Sequence, residues 1–232
     1  MAPKKEKLVS ILGSSYFQPI ADILERWLSR RKAPRPNKVQ SGFYEHGYAA
    51  TIAPLLVAMF ESYVSRLRFI QRPHRAVTNR HALDVLFGIY PTYRHKKALM
   101  DVYVLRDAII HNHLWEIDYS WSGSPTMKLH TATMDAAFGD KKFNQRVNLK
   151  IRRTKAIGLN VVPTRIDRHD VLKVFNAVWQ ALLFLESRSR MQCYVSHECV
   201  RFRGRTRPFG EIVDEIRTPS SAENPVKRGR LD

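Results

Sequence analysis

The sequence predicts a mainly α protein, a helical bundle interrupted by a small β excursion before its last long helix. Three observations carry that prediction. Apolar residues recur at i, i+3 and i+4 through several long segments. The stretch "IAPLLVAMF" is apolar on every side, as the central helix of a bundle should be. Between residues 116 and 162 the period falls to two, with turn-forming stretches between the alternating runs.

Residues 8–32 read as a first helical region, with Ile20, Ile23, Leu24, Trp27 and Leu28 at helical spacing. Arg and Lys close it where the helix dipole favours cations, and the prolines of "APRPNK" stop it. A longer helix is expected from about Tyr44 to Ile70, kinked or divided at Pro54. After a loop, a short helix capped by Thr78 or Asn79 should end at Pro91. A fourth runs from about His95 through "VLRDAIIHNH", its core stripe being Leu99, Val102, Leu105, Ile109 and Leu114.

The alternating runs "EIDYSW", "MKLHTATM" and "VNLKIRRTKAIGLNVV" then suggest a hairpin or three-stranded insertion, with "SGSP" and "FGDKK" as turns. The last long helix spans about Arg168 to Arg188, with Asp167 as N-cap and Asp170 in the first turn. Its buried face is Val171, Val174, Phe175, Val178, Leu182 and Leu185. The chain thus divides into a helical region at 1–43, a helical domain at 44–190 with its β insertion at 116–162, and a basic, partly disordered tail at 191–232.

Composition narrows the function. The 232 residues carry 39 Lys and Arg against 21 Asp and Glu, a formal charge of +18. Such an excess draws phosphate polyanions, and its spread along the chain favours nucleic acid over an anionic membrane surface. No apolar run approaches the roughly 18 residues that span a bilayer, and the N-terminus is unlike a signal peptide, so a cytoplasmic protein without a membrane partner is expected. No helix-turn-helix is recognisable, which disfavours a DNA-binding regulator. In "CYVSHEC", Cys193, His197 and Cys199 invite a zinc reading, but the spacing fits no structural zinc pattern and no second pair exists. No metal and no cofactor are expected.

Chemistry concentrates in "VLRDAIIHNH", where Arg106, Asp107, His111 and His113 sit among aliphatic residues. Asp107 and His111 are four apart and share a helix face, so the carboxylate can fix the imidazole tautomer. Arg106 and His111, five apart, lie about 140° around the axis and flank a groove rather than stack. An Asp–His pair beside an arginine is also common on solvated helix faces. Glu61 lies in the apolar second helix, either facing this motif or exposed beside Arg68. "RFRGRTR" sets Arg201, Arg203, Arg205 and Arg207 around Phe202, able to contact phosphates and stack a base, or to form a solvated basic tail. His74, His81, His95 and His197 lack partner spacing and read as surface residues.

"RDAIIH" resembles the R-x-x-x-x-H motif of the HEPN (higher eukaryotes and prokaryotes nucleotide-binding) superfamily, with a polar residue after the arginine and an aliphatic pair before the histidine. The continuation "NHLWEI" and the late helix of an α-bundle are similar too, over roughly residues 44–190. The resemblance implies a HEPN-like bundle and a metal-independent endoribonuclease, usually dimeric, acting as a toxin or in phage defence. It implies an RNA substrate and allows for an antitoxin or defence partner. His111 would perform acid–base catalysis, Arg106 would bind the scissile phosphate, and Asp107 would orient the histidine. Asn112, His113 and Glu61 would support them. A twofold dimer would bring two such sets together and so repair the 140° offset. Toxin members paired with a nucleotidyltransferase antitoxin often carry a tyrosine two residues after the histidine. His113 stands there, which puts that regulation in doubt. The contrasting expectation is a non-catalytic module that binds RNA, nucleotide or a partner protein.

Overall fold

Apolar side chains from both ends of the sequence close around one central helix in the computed structural model, which describes residues 12–29, 45–71, 81–110, 117–120, 126–129, 141–188 and 194–217. A 3-10 turn, Leu12–Tyr16, leads into α1 (Phe17–Leu28). The central helix is α2 (Glu45–Gln71), followed by α3 (Ala82–Ile89) and α4 (Lys96–Ile110). α2 packs against α1, α3 and α4, and against α6 (Arg168–Arg188), the last long helix. The protein is mainly helical.

α2 runs unbroken through Pro54. Proline removes one hydrogen-bond donor and crowds the preceding turn. Ile52, Ala53, Leu56 and Val57 on either side are all buried, so one continuous helix rather than two spans the proline. Its segment Gly47–Ile70 contains an 18-residue window of mean hydropathy 1.3 and is long and apolar enough, by length and composition, to cross a membrane, which corrects the expectation that no such run exists. Half of that window is buried inside the protein, among the helices that surround it.

α3 ends at Ile89, just before Pro91, as its sequence predicts. It begins after His81, however, rather than at a cap on Thr78 or Asn79, which lie outside the described residues. α6 matches its sequence closely. Asp167 Oδ1 accepts the amides of His169 (2.9 Å) and Asp170 (3.1 Å), and Asp170 Oδ2 accepts the Asp167 amide in return (3.1 Å), a reciprocal cap. Asp170 is fully buried and its other oxygen takes the Asn160 amide (3.0 Å). Burial raises its pKa above the ordinary carboxylate value, against the lowering effect of those amides.

The insertion is less uniform than its alternation implied. β1 (Ile117–Ser120) and β2 (Thr126–Leu129) form an antiparallel pair, Ile117 opposite Leu129. "KKFNQR" forms a short helix, α5 (Lys141–Arg146), which begins within the expected turn "FGDKK" and ends where the alternating run starts at Val147. β3 (Val147–Asn148) and β4 (Arg153–Thr154) follow as a minimal pair. Phe143, Val147 and Val161 pack on Val104 and Ala108 of α4, a second small core separate from the main one. The insertion therefore backs one face of α4.

The largest correction concerns the C-terminal segment. Residues 194–217, expected within a partly disordered tail, fold as β5 (Cys199–Phe202), β6 (Arg205–Pro208) and α7 (Ile212–Arg217). Arg203 and Gly204 join the strands with φ of 50° and 75°, the two positive values that a tight type I′ hairpin turn demands. Val200, Phe202, Phe209, Ile212 and Ile216 enter the main core beside α1 residues, so the described residues at 12–29 and 194–217 share one core with the other helices. Phe209 stacks on Phe175 (5.2 Å between centroids) and meets Phe17 edge-on (4.7 Å). Gly210 allows this approach, because a Cβ there would come within 2.8 Å of the Trp179 ring.

Phe209→Ala should lower the unfolding free energy by about 3–5 kcal/mol, the usual cost of emptying a buried aromatic site. Urea unfolding measures it. A surface tail would give a change near zero.

Candidate functional site

α4 presents two packed faces. Leu99, Val102, Tyr103 and Leu105 turn to the main core, while Val104 and Ala108 turn to the insertion. Arg106 follows Tyr103 by three residues and so stands above it on the core-facing side, where that side reaches the rim of the bundle. The Arg106 guanidinium lies over the Tyr103 ring, 5.0 Å from its centroid.

Glu61 of α2 meets this face. Its Oε1 accepts a bond from one terminal nitrogen of Arg106 at 3.0 Å, and Asp107 Oδ1 pairs with the other terminal nitrogen, also at 3.0 Å. Of the two expectations for Glu61, pairing across to the motif arginine is the one observed. The three charged side chains are 21–38% exposed, so they sit at the rim of the bundle rather than inside it. At such exposure each pair is worth only about 0–1 kcal/mol. The guanidinium is held in place, yet a stronger anion can displace either carboxylate.

Tyr103 was not singled out from the sequence, where it reads as one more apolar position. Its side chain is buried, and its hydroxyl lies beside the Glu61 carboxylate. Burial, then the Glu61 carboxylate, push its pKa far above the ordinary phenol value. It is a neutral ring beneath the arginine at any physiological pH. The only sequence signal for it was its i, i+3 relation to Arg106.

The structure brings together Arg106, Asp107 and Glu61. His111, Asn112 and His113 lie outside the described residues, as do Leu114, His74 and Cys193. Asp107, expected to orient His111, is engaged with Arg106 here. Ile110, at the end of α4 beside this cluster in sequence, is exposed.

The arginines of "RFRGRTR" lie elsewhere, on the β5–β6 hairpin that packs on α1. Arg203 and Arg207 both pair with Glu215 of α7 at 2.7 Å, and the Arg207 bond is the main reason its pKa falls below the usual glutamate value. Arg201 and Arg205 are exposed. Phe202 is 1% exposed, a core residue, which corrects the expectation that it could stack a base. His81, His95 and His197 are exposed, as expected, and Cys199 is a free, exposed thiol. Among the described residues no group of three His, Cys, Asp or Glu side chains is placed to hold a metal ion.

Comparison with protein-family models, curated proteins and solved structures gave no match to this chain.

Tyr103 permits a pH test of this geometry. A phenol whose folded pKa exceeds its unfolded value of 10.0 contributes stability that is whole below that value and lost as pH rises past it. Tyr103→Phe removes the group, so its stability relative to wild type should rise from pH 10 upward. Because the variant also loses the interaction of the hydroxyl with Glu61, a deficit of about 0.5–1.5 kcal/mol at pH 7 is the baseline from which that rise is read. Urea unfolding at the two pH values decides it.

Proposed function

We propose that this chain is a metal-independent endoribonuclease of the HEPN type, and that its fold is a HEPN-like bundle. The observation that carries the reading is the held Arg106, which opens "RDAIIH" on α4 and is gripped by Glu61 from the central helix. A surface arginine with no function has no need of a ring beneath it and a carboxylate on each terminal nitrogen.

RNA supplies its own nucleophile, so cleavage needs a base, an acid and a clamp for the growing phosphate charge. His111 fills the acid–base role, taking the ribose 2′-OH proton or protonating the departing 5′-oxygen. Arg106 is permanently charged and forked, which suits a phosphate with two oxygens to offer. When phosphate takes the fork, Asp107 is released one helical turn before His111 and can accept an imidazole N–H. The products are a 2′,3′-cyclic phosphate and a 5′-hydroxyl. A homodimer that faces two such helices provides base and acid from identical residues, with Asn112 and His113 at the shared cleft. A role as a toxin or phage-defence effector in the cytoplasm, with an antitoxin or defence partner, follows from the resemblance alone.

A second reading draws on the same geometry. With both terminal nitrogens of Arg106 engaged by carboxylates, the cluster as it stands carries no spare positive charge, which suits a non-catalytic module binding RNA, nucleotide or a partner protein.

Purified protein incubated with single-stranded and structured RNA in EDTA should produce cyclic-phosphate ends. Arg106→Ala and His111→Ala should each slow cleavage by about 10²-fold or more, the typical worth of a positioned acid, base or charge clamp. Intact RNA in every context, or variants that cut as fast as wild type, would leave the binding-module reading. A strict need for a divalent ion would refute the mechanism.

A further inference from the structure

A cleft of about 1100 Å³ opens between the start of α4 and the turns of the insertion, lined by Arg94, His95, Lys96, Lys97, Arg146 and Lys155 among others. We propose that this cleft is an accessory binding site for the phosphate backbone of RNA, separate from the Arg106 cluster. RNA is named because of the activity proposed above; the cleft as a polyanion site stands on its own charge and shape.

Five permanent cations face one carboxylate, Asp101, across this space. Among the described residues, none of the five forms an ion pair. Asp101 is occupied otherwise. It is fully buried, and its Oδ2 accepts the amides of Ala156 (2.8 Å) and Ile157 (2.9 Å). That clamp ties the 155–157 turn to α4 and holds Lys155 on the far wall of the cleft. The Lys155 ammonium donates to the Gln145 carbonyl (2.7 Å), which positions the charge without neutralising it.

The cations also stand where a stable helix would avoid them. The first turn of α4 has no acidic residue and begins Lys96–Lys97, at the positive end of the helix dipole. Its leading amides have no acceptor within the helix. Two lysines there oppose the dipole, whereas an anion in the cleft would satisfy both the amides and the ammoniums. Tyr93, 5% exposed, also lines the cleft, and its buried hydroxyl has no partner among the described residues.

The lining selects the kind of ligand. Its one exposed ring is the His95 imidazole, set among cations, and none of the large exposed apolar side chains borders it. Recognition would be of phosphates and independent of sequence. A second hollow of about 400 Å³ shares His95, Ala98 and Ile157 with the cleft and adds Lys173, so the basic track continues toward α6. Lys97 and Arg106 are nine residues apart, which at ~100° per residue puts them on opposite sides of α4 and roughly 14 Å apart along it. The two sites are therefore independent surfaces of one helix.

The test uses the full chain and a fluorescent 2′-O-methyl RNA, which has no free 2′-OH and so reports binding without cleavage. Anisotropy is followed across a salt series for wild type, for the triple variant Lys96→Gln, Lys97→Gln, Lys155→Gln, and for a control of equal charge change, Arg26→Gln, Lys150→Gln, Arg188→Gln. The cleft variant should lose about tenfold or more in affinity, and its plot of log affinity against log salt should be shallower by about 2, as for three lost phosphate contacts on a single strand. Unchanged thermal unfolding of the variant excludes misfolding as the cause. Equal behaviour of cleft and control variants overturns the proposal. So does loss of binding to phosphatidylserine vesicles with RNA binding intact, which would assign the cleft to a membrane surface. If wild type never cuts RNA yet the cleft variant loses binding, the nuclease reading fails and the cleft stands. If RNA is cut and the cleft variant binds normally, the reverse holds.

Discussion

α2 can bury its apolar circumference only if elements from both ends of the sequence close around it, and most of the architecture follows from that demand. Side chains such as Ile52, Leu56, Met59 and Phe60 have almost no exposure, and each is worth about 1.5–3 kcal/mol when removed from water. No single neighbouring helix can cover them all. α1, α3, α4 and α6 share the work, and the β5–β6 hairpin with α7 closes the remaining side over α1 and α6. Glu61 is tolerable in such a helix because it emerges at the rim, where water reaches it and Arg106 compensates it. The candidate site thus lies where the central helix stops being fully enclosed.

α4 links that site to the rest of the molecule. One face is fixed by the main core and a second by the insertion, through Val104, Ala108 and the Asp101 clamp. A helix gripped on two sides cannot rotate, so its core-facing side holds Tyr103 and, at the rim, Arg106 at a constant orientation toward Glu61. The insertion, read from the sequence as an excursion of unknown purpose, acts here as the back support of the helix that bears the motif.

The long helices were legible because their signals are local and redundant. α6 announces itself by its apolar spacing and by the Asp167 cap, and both are seen. Lys141–Arg146 was missed because six residues are too short to show a helical period. The C-terminal segment was misread for a different reason. In "CVRFRG" the apolar residues do alternate, but the intervening arginines make the average composition look like a solvated tail. Period two was the informative feature, and charge was a distraction: the arginines point outward or pair with Glu215 while Val200 and Phe202 fill the core. Glu61 could not be decided from sequence, since both Arg68 and Arg106 were available, and only the packing of α2 on α4 chooses between them.

The distribution of paired and unpaired charge bears on how a polyanion would meet this surface. Arg106 is a poor long-range attractor, because the two carboxylates paired with it at 3.0 Å more than offset its charge. The cations of the cleft have no such compensation, and in 0.15 M salt their field extends about 8 Å into solvent. Attraction and chemistry make opposite demands on a cation: the first needs its charge exposed, the second needs its geometry fixed. A guanidinium held by weak, rim-exposed pairs meets the second demand, and a phosphate taking both terminal nitrogens would have to displace both carboxylates. Unpaired lysines on a separate face meet the first. The net charge of +18 thus resides outside the Arg106 cluster, on surfaces such as the cleft where cations stand without carboxylate partners.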